Sequence, residues 1–126
     1  MCDNTMRRVL VVDDYDVVRD SLTFALESYD DVEIVGEAAD GAEAVALCAE
    51  LQPDVALIDL KMPHMDGAEA AQIILEEHPE ICVIILTSGV SSALIQAAIE
   101  AGAAGVILKD ATAEDIYLAI QALCAD

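Results

Sequence analysis

The stretch Arg8-Val-Leu-Val-Val-Asp-Asp14 decides the fold. Its short apolar run, mostly β-branched, reads as a strand buried on both faces, and a pair of acids ends it. Directly afterwards Val18, Leu22, Ala25, Leu26 and Tyr29 recur at helical spacing, so strand one feeds helix one. The same unit then repeats. Val32 to Ala38 reads as strand two, and Asp40-Gly-Ala-Glu43 as a capping box opening a helix to Leu51. Val55 to Ile58 is strand three, ending on Asp59. The segment Leu60-Lys-Met-Pro-His-Met-Asp-Gly67 is a loop by its proline and glycine, and Ala68 to Glu77 forms helix three. Cys82 to Leu86 is the strongest strand signal, ending at Thr87. Ser91 or Ser92 caps a helix running to Ala101, Gly105 to Leu108 is strand five ending on Lys109, and Thr112 with Asp115 opens a last helix through Leu123. Five strands in strict alternation with five helices predict one doubly wound α/β domain over residues 1–126, each parallel crossover being right-handed.

A chain of 126 residues, 56% of them hydrophobic, fits one core and argues against disorder. Lys and Arg total 5 against 25 Asp and Glu, a net charge of -20. That field repels phosphate backbones and anionic lipid, so no nucleic acid and no membrane surface is expected as a partner; cations and basic protein surfaces fit. The uncharged run Ile81 to Ile99 is broken by Thr87, Ser88, Gly89, Ser91 and Ser92, which makes it strand, loop and helix instead of a membrane span. Arg7 and Arg8 precede too short an apolar stretch for a signal peptide, so a cytoplasmic protein is expected. Cys2, Cys48, Cys82 and Cys124 have neither CxxC spacing nor the density of a disulfide framework, and are read as reduced core thiols.

Open parallel sheets bind ligands beyond the carboxyl ends of their strands. The residues there are Asp13 and Asp14 after strand one, Asp59 after strand three, Thr87 after strand four and Lys109 after strand five. Alone, each has a plain reading: an acid after a strand caps the next helix, and a lysine there is a surface charge. If strands one and three are neighbours, three carboxylates converge, and their repulsion calls for a shared cation. Mg²⁺, hard and oxygen-seeking, suits such a cluster. His64 and His78 belong to polar loops and are read as solvated.

Val11-Val-Asp-Asp14, Leu57-Ile-Asp-Leu-Lys-Met-Pro-His-Met-Asp-Gly67, Ile84-Ile-Leu-Thr-Ser88 and Gly105-Val-Ile-Leu-Lys-Asp110 fall in order along the whole chain. In combination they resemble the motifs of response-regulator receiver domains of two-component signalling. The ending Leu108-Lys-Asp-Ala-Thr-Ala-Glu114 is most similar to receivers of the NarL/FixJ type, which usually precede a helix-turn-helix output domain. The resemblance implies the flavodoxin-like receiver fold with strand order 2-1-3-4-5. It implies that Asp59 accepts a phosphoryl group from a sensor histidine kinase or phosphotransfer protein. Asp14 and Asp59 would ligate Mg²⁺ directly, Asp13 largely through water, and the backbone carbonyl of Lys61 would complete the set. Lys109 would neutralise phosphoryl oxygens and Thr87 would hydrogen-bond one of them. Such a domain catalyses only its own phosphotransfer and dephosphorylation. It also makes plausible a homodimer through helices one and five, in which Phe24, stacked with Val17 away from the core stripe, meets the last helix near Tyr117 of a second copy.

Two features depart from the family pattern. Val106 stands where receivers usually carry the aromatic whose rotamer reports phosphorylation, and a stiff β-branched residue cannot play that part. The acidity exceeds the usual mixed surface. Other function classes fit less well. An aspartate-nucleophile phosphatase wants an acid two residues after the nucleophile, where Lys61 stands. A flavodoxin-like carrier needs a loop that cradles phosphate, which Asp13-Asp-Tyr-Asp16 would repel. A docking-only pseudo-receiver has no support in a site this complete.

Overall fold

The computed structural model describes residues 6–89 and 92–124. Its elements are β1 (Arg7–Val12), α1 (Asp16–Leu26), β2 (Val32–Ala38), α2 (Gly41–Leu51), β3 (Val55–Asp59), α3 (Gly67–Glu77), β4 (Cys82–Thr87), α4 (Ser92–Ala101), β5 (Gly105–Leu108) and α5 (Ala113–Leu123). The strands form one parallel sheet in the order β2-β1-β3-β4-β5. The predicted alternation is therefore found, as are the order and the flavodoxin-like class. No helix among the described residues is long and apolar enough to cross a membrane.

Strand residues alternate between two cores, as a two-sided sheet requires. Leu10, Val12, Ala56, Ile58, Val83 and Ile85 pack with Ala44, Cys48, Ala71, Ile74 and Ala98 on the side of α2, α3 and α4. Val9, Val11, Val55, Leu57, Ile84 and Leu86 pack with Leu26, Ile116 and Ile120 on the side of α1 and α5. β3, in the middle, is buried at every position, and each large aliphatic side chain so buried contributes roughly 1.5–3 kcal/mol. The alanines of α3 let that helix lie close against the sheet, which fixes the loop that precedes it.

Most local signals hold, with instructive exceptions. The capping box at Asp40 is half made: Asp40 accepts from the Glu43 N–H, but Glu43 accepts from Ala39 instead of Asp40. Complete boxes open α3 (Asp66 with Glu69) and α5 (Thr112 with Asp115). The cap expected at Ser91 or Ser92 rests on side chains outside the described set. Helix one ends at Leu26, so Tyr29 lies beyond it, where its ring stacks on Tyr117 at 3.8 Å. Val18 leaves the core stripe: it is 39% exposed, because α1 turns Thr23 and Leu26 toward the sheet and gives Val18 to a groove between α1 and α5. His78 is not a free loop residue but the C-cap of α3, largely covered and 3.9 Å from Glu80.

Cys82 and Cys124 are not the reduced core thiols expected from composition; they form a disulfide, with Cα atoms 5.7 Å apart. The sheet brings the first residue of β4 and the residue after α5 to the same end of the molecule, and their separation of 42 residues carries no local signature of it. Cys48 is a buried free thiol, as expected. Cys2 lies outside the described residues.

Candidate functional site

Adjacency of β1 and β3, with Val12 paired to Ile58, brings the acids after both strands together. One carboxylate oxygen from each of Asp13, Asp14 and Asp59 lies within 4.8 Å of the others. Asp13 and Asp59 are nearly inaccessible, at 1% and 4% exposure. Lys109, carried past the end of β5, places its ammonium 3.0 Å from Asp13 Oδ2 and 3.3 Å from Asp59 Oδ2. The contact to Asp13 Oδ2 is an ion pair, and Asp14 Oδ1 is buried without a hydrogen-bond partner. Three acids and one cation leave an excess of negative charge with unsatisfied oxygen lone pairs. A hard cation would satisfy both needs, so the donor set fits a divalent metal.

The protonation of the cluster follows from its burial. Desolvation, reinforced by the charge of Asp13 and only partly countered by Lys109, pushes the Asp59 carboxyl up to about 6. Lys109 is held above its ordinary value: burial works against its charge, but the carboxylates of Asp13 and Asp59 more than offset that. At neutral pH the site therefore holds an ionised, poorly solvated carboxylate beside a protonated amine.

Thr87 closes the far side. It is buried at the end of β4, its Oγ1 accepts from the Gly89 N–H at 3.0 Å, and its carbonyl accepts from the Lys109 N–H at 2.7 Å. With Ser88, Leu108, Lys109 and Asp110 it lines an opening of about 230 Å³. The Lys61 side chain is exposed in the loop after β3.

Against this geometry, the model of the response regulator receiver domain matches residues 9–121. The chain belongs to the response-regulator receiver family. This receiver is 45% identical over 117 residues to the transcriptional regulatory protein LiaR of Bacillus subtilis, an alignment covering 93% of the chain and 56% of LiaR. It is 42% identical over 114 residues to the response regulator protein VraR of Staphylococcus aureus, covering 90% of the chain and 54% of VraR. The chain thus spans about half the length of the curated relatives it matches. Among solved structures, the signal receiver domain of the putative response regulator NarL from Mycobacterium tuberculosis superposes with a TM-score of 0.87 at 37% identity, covering 94% of this chain and 95% of that one. The family match makes the chain a receiver domain of the kind carried by two-component response regulators.

Three residues that support the receiver's acid cluster carry no clear signal in the sequence. Arg19 donates to the Asp13 carbonyl at 2.7 Å while binding Asp16 at 2.7 Å and Glu37 at 3.1 Å, which anchors the loop carrying both acids. The Asp16-x-x-Arg19 spacing predicts only the first of its ion pairs. Tyr15 donates its N–H to Asp13 Oδ1 and sets its ring 5.9 Å from the Lys109 ammonium. Gly67 opens α3 with its N–H on the Leu60 carbonyl at 2.7 Å, and a Cβ there would stand 2.5 Å from the Asp59 carbonyl oxygen. Only glycine lets the helix start so close to the acid's own backbone. His64, in the same loop and exposed, adopts φ +72°, a left-handed conformation uncommon outside glycine.

Proposed function

We propose that this chain, residues 1–126 as one receiver domain, is a phosphorelay switch in which Asp59 takes a phosphoryl group from the phosphohistidine of a sensor histidine kinase or a phosphotransfer protein. The observation that carries this is the Lys109 ammonium lying between Asp13 and Asp59 beside an unsatisfied Asp14. Above about pH 6 Asp59 is ionised, and its oxygen attacks phosphorus. As the new O–P bond forms, the P–N bond to imidazole breaks and the imidazole nitrogen keeps the electron pair. Lys109, already charged, turns from the carboxylates to the phosphoryl oxygens without a change of protonation. The Thr87 hydroxyl, which accepts from Gly89, keeps its own proton to donate to one of those oxygens. Asp14 and Asp59 would hold Mg²⁺ directly, Asp13 through water, together with the Lys61 carbonyl. The ion would supply charge neutralisation to the transferring group. The same groups deliver the phosphoryl group to water later, so self-dephosphorylation is the domain's only further catalysis.

Readout follows a route other than the aromatic rotamer, since Val106 is packed against the core on the α4 side. Exposed Phe24 (82%) and Val17 on α1, beside a recess of about 540 Å³ reaching Tyr29 and Ala113, support pairing of two copies through α1 and α5. Tyr117 itself is engaged within the chain, its hydroxyl donating to Asp31 at 2.9 Å. The domain acts in the cytoplasm, either alone or as the regulatory half of a helix-turn-helix regulator. Incubation with a histidine kinase core carrying labelled phosphohistidine should move the label to this chain, and chelation with EDTA should stop the transfer. Transfer at an unchanged rate in EDTA would overturn the proposed metal-assisted switch.

A further inference from the structure

The Cys82–Cys124 disulfide sits at the end of the sheet opposite Asp59, where β4 begins and α5 finishes. Both cysteines are half-buried, and both line an open pocket of about 390 Å³ shared with Arg7, Gln52, Asp54 and Glu80. The bond holds the last turn of α5 against the sheet. Two further contacts hold the same turn. The Arg7 guanidinium donates to the carbonyls of Ile120 and Cys124. Leu123 packs so tightly on β5 that a Cβ at Gly105 would lie 2.5 Å from its Cδ1. The Cys82 N–H is fixed on the Asp54 carbonyl at 2.9 Å, so one sulfur rides on rigid sheet and the other on a helix end.

We infer that this bond is a thiol-addressable redox site: a small thiol reductant entering the pocket opens it and loosens the last turn of α5, making the docking of that helix depend on thiol redox state. A thiolate of the reductant attacks one sulfur, the S–S bond breaks, and the other cysteine leaves as a thiolate that takes up a proton. A second reductant thiol resolves the mixed disulfide, so two protein thiols form and the reductant is oxidised to its own disulfide. Exchange of this kind needs access, which the pocket gives and which buried Cys48 lacks; burial also pushes the Cys48 thiol up to about 11, leaving it inert. The inference requires nothing of the phosphotransfer reading, because the two sites lie at opposite ends of the sheet.

Three measurements on the folded full chain test it. Peptide-resolved mass spectrometry after native alkylation should find Cys82 and Cys124 unmodified in air-oxidised protein. Both should be alkylated after dithiothreitol without denaturant, with Cys48 unlabelled in each state. Hydrogen exchange in the last turn of α5 should become several-fold faster on reduction while α3 stays unchanged, and the melting temperature should fall by roughly 10 °C, as loss of a 42-residue cross-link predicts. Cys124→Ser should reproduce the reduced state. Free thiols in the oxidised protein, a bond that dithiothreitol opens only in urea, or reduction without change in α5 exchange would each overturn it. Label transfer to Asp59 is scored separately, so its failure leaves these results intact.

Discussion

Replacing Asp59 by asparagine should make the metal-free protein more stable, although it removes a carboxylate that contacts Lys109. The shape of the side chain is kept and its charge is lost. In the folded protein burial and Asp13 push this carboxyl from 3.8 to about 6, a displacement that costs about 3 kcal/mol once the group is ionised. The folded state thus holds a proton that the unfolded chain has released. Stability is lost as pH rises from about 4 to about 6, and the full cost is present at neutral pH. The neutral amide of Asp59→Asn would carry no such cost, while Lys109 keeps Asp13 as its partner at 3.0 Å. For a domain of this size the gain should raise the melting temperature by roughly 10 °C in EDTA. Thermal melts of wild type and Asp59→Asn across this pH range give two curves whose difference isolates Asp59 from the other acids. The difference should open between about pH 4 and 6 and then stay constant. Added Mg²⁺ should close much of it by stabilising the wild type more. A variant that melts at or below the wild type at neutral pH, or a difference independent of pH, would refute the account of a strained, charge-rich pocket.

Further outcomes follow from the same geometry. Asp14→Ala should abolish Mg²⁺ binding in calorimetric titration, since it removes the buried oxygen that has no partner in the protein; equal affinity in both proteins would exclude the assigned ligand set. Gly67→Ala should cost about 2 kcal/mol in denaturant melts by forcing α3 off the Asp59 backbone, and should weaken Mg²⁺ binding because the Lys61 carbonyl shifts with the loop. Phosphorylation and higher ionic strength should both favour a dimer in sedimentation, the latter by screening a net charge of -20 per chain, and Phe24→Ala should weaken it; a dimer indifferent to Phe24 would remove the α1 face from the interface.

Much of this is legible in the sequence because the decisive features are local and periodic. The runs around Leu10, Leu57 and Ile84 can only be strands buried on both sides, and the polar residues that stop them have to stand at one edge of the sheet. Asp13, Asp59, Thr87 and Lys109 are therefore found where their positions after apolar runs put them. What escapes depends on tertiary approach. Arg19 reaches Glu37 only because β2 lies beside β1. Gly67 is needed because α3 begins against the backbone of Asp59. Val18 leaves the core stripe and Thr23 is buried instead because the docked α1 turns Thr23 and Leu26 toward the sheet, an orientation that apolar spacing alone does not specify. The disulfide joins residues whose proximity exists only once β4 and α5 are both docked. Composition suggests core thiols, whereas the folded sheet brings Cys82 and Cys124 together at its end.

The proposed switch turns on Asp59 as the phosphoacceptor, set up by Asp13, Asp14, Thr87 and Lys109 around it. Its most direct test is intact-mass and peptide-resolved mass spectrometry after incubation with a small phosphodonor and Mg²⁺, on wild type and on Asp59→Asn. One added phosphoryl group is expected per wild-type chain, located on the peptide containing Asp59, and none on the variant. Equal labelling of the variant, or a phosphoryl group on any other peptide, would contradict it.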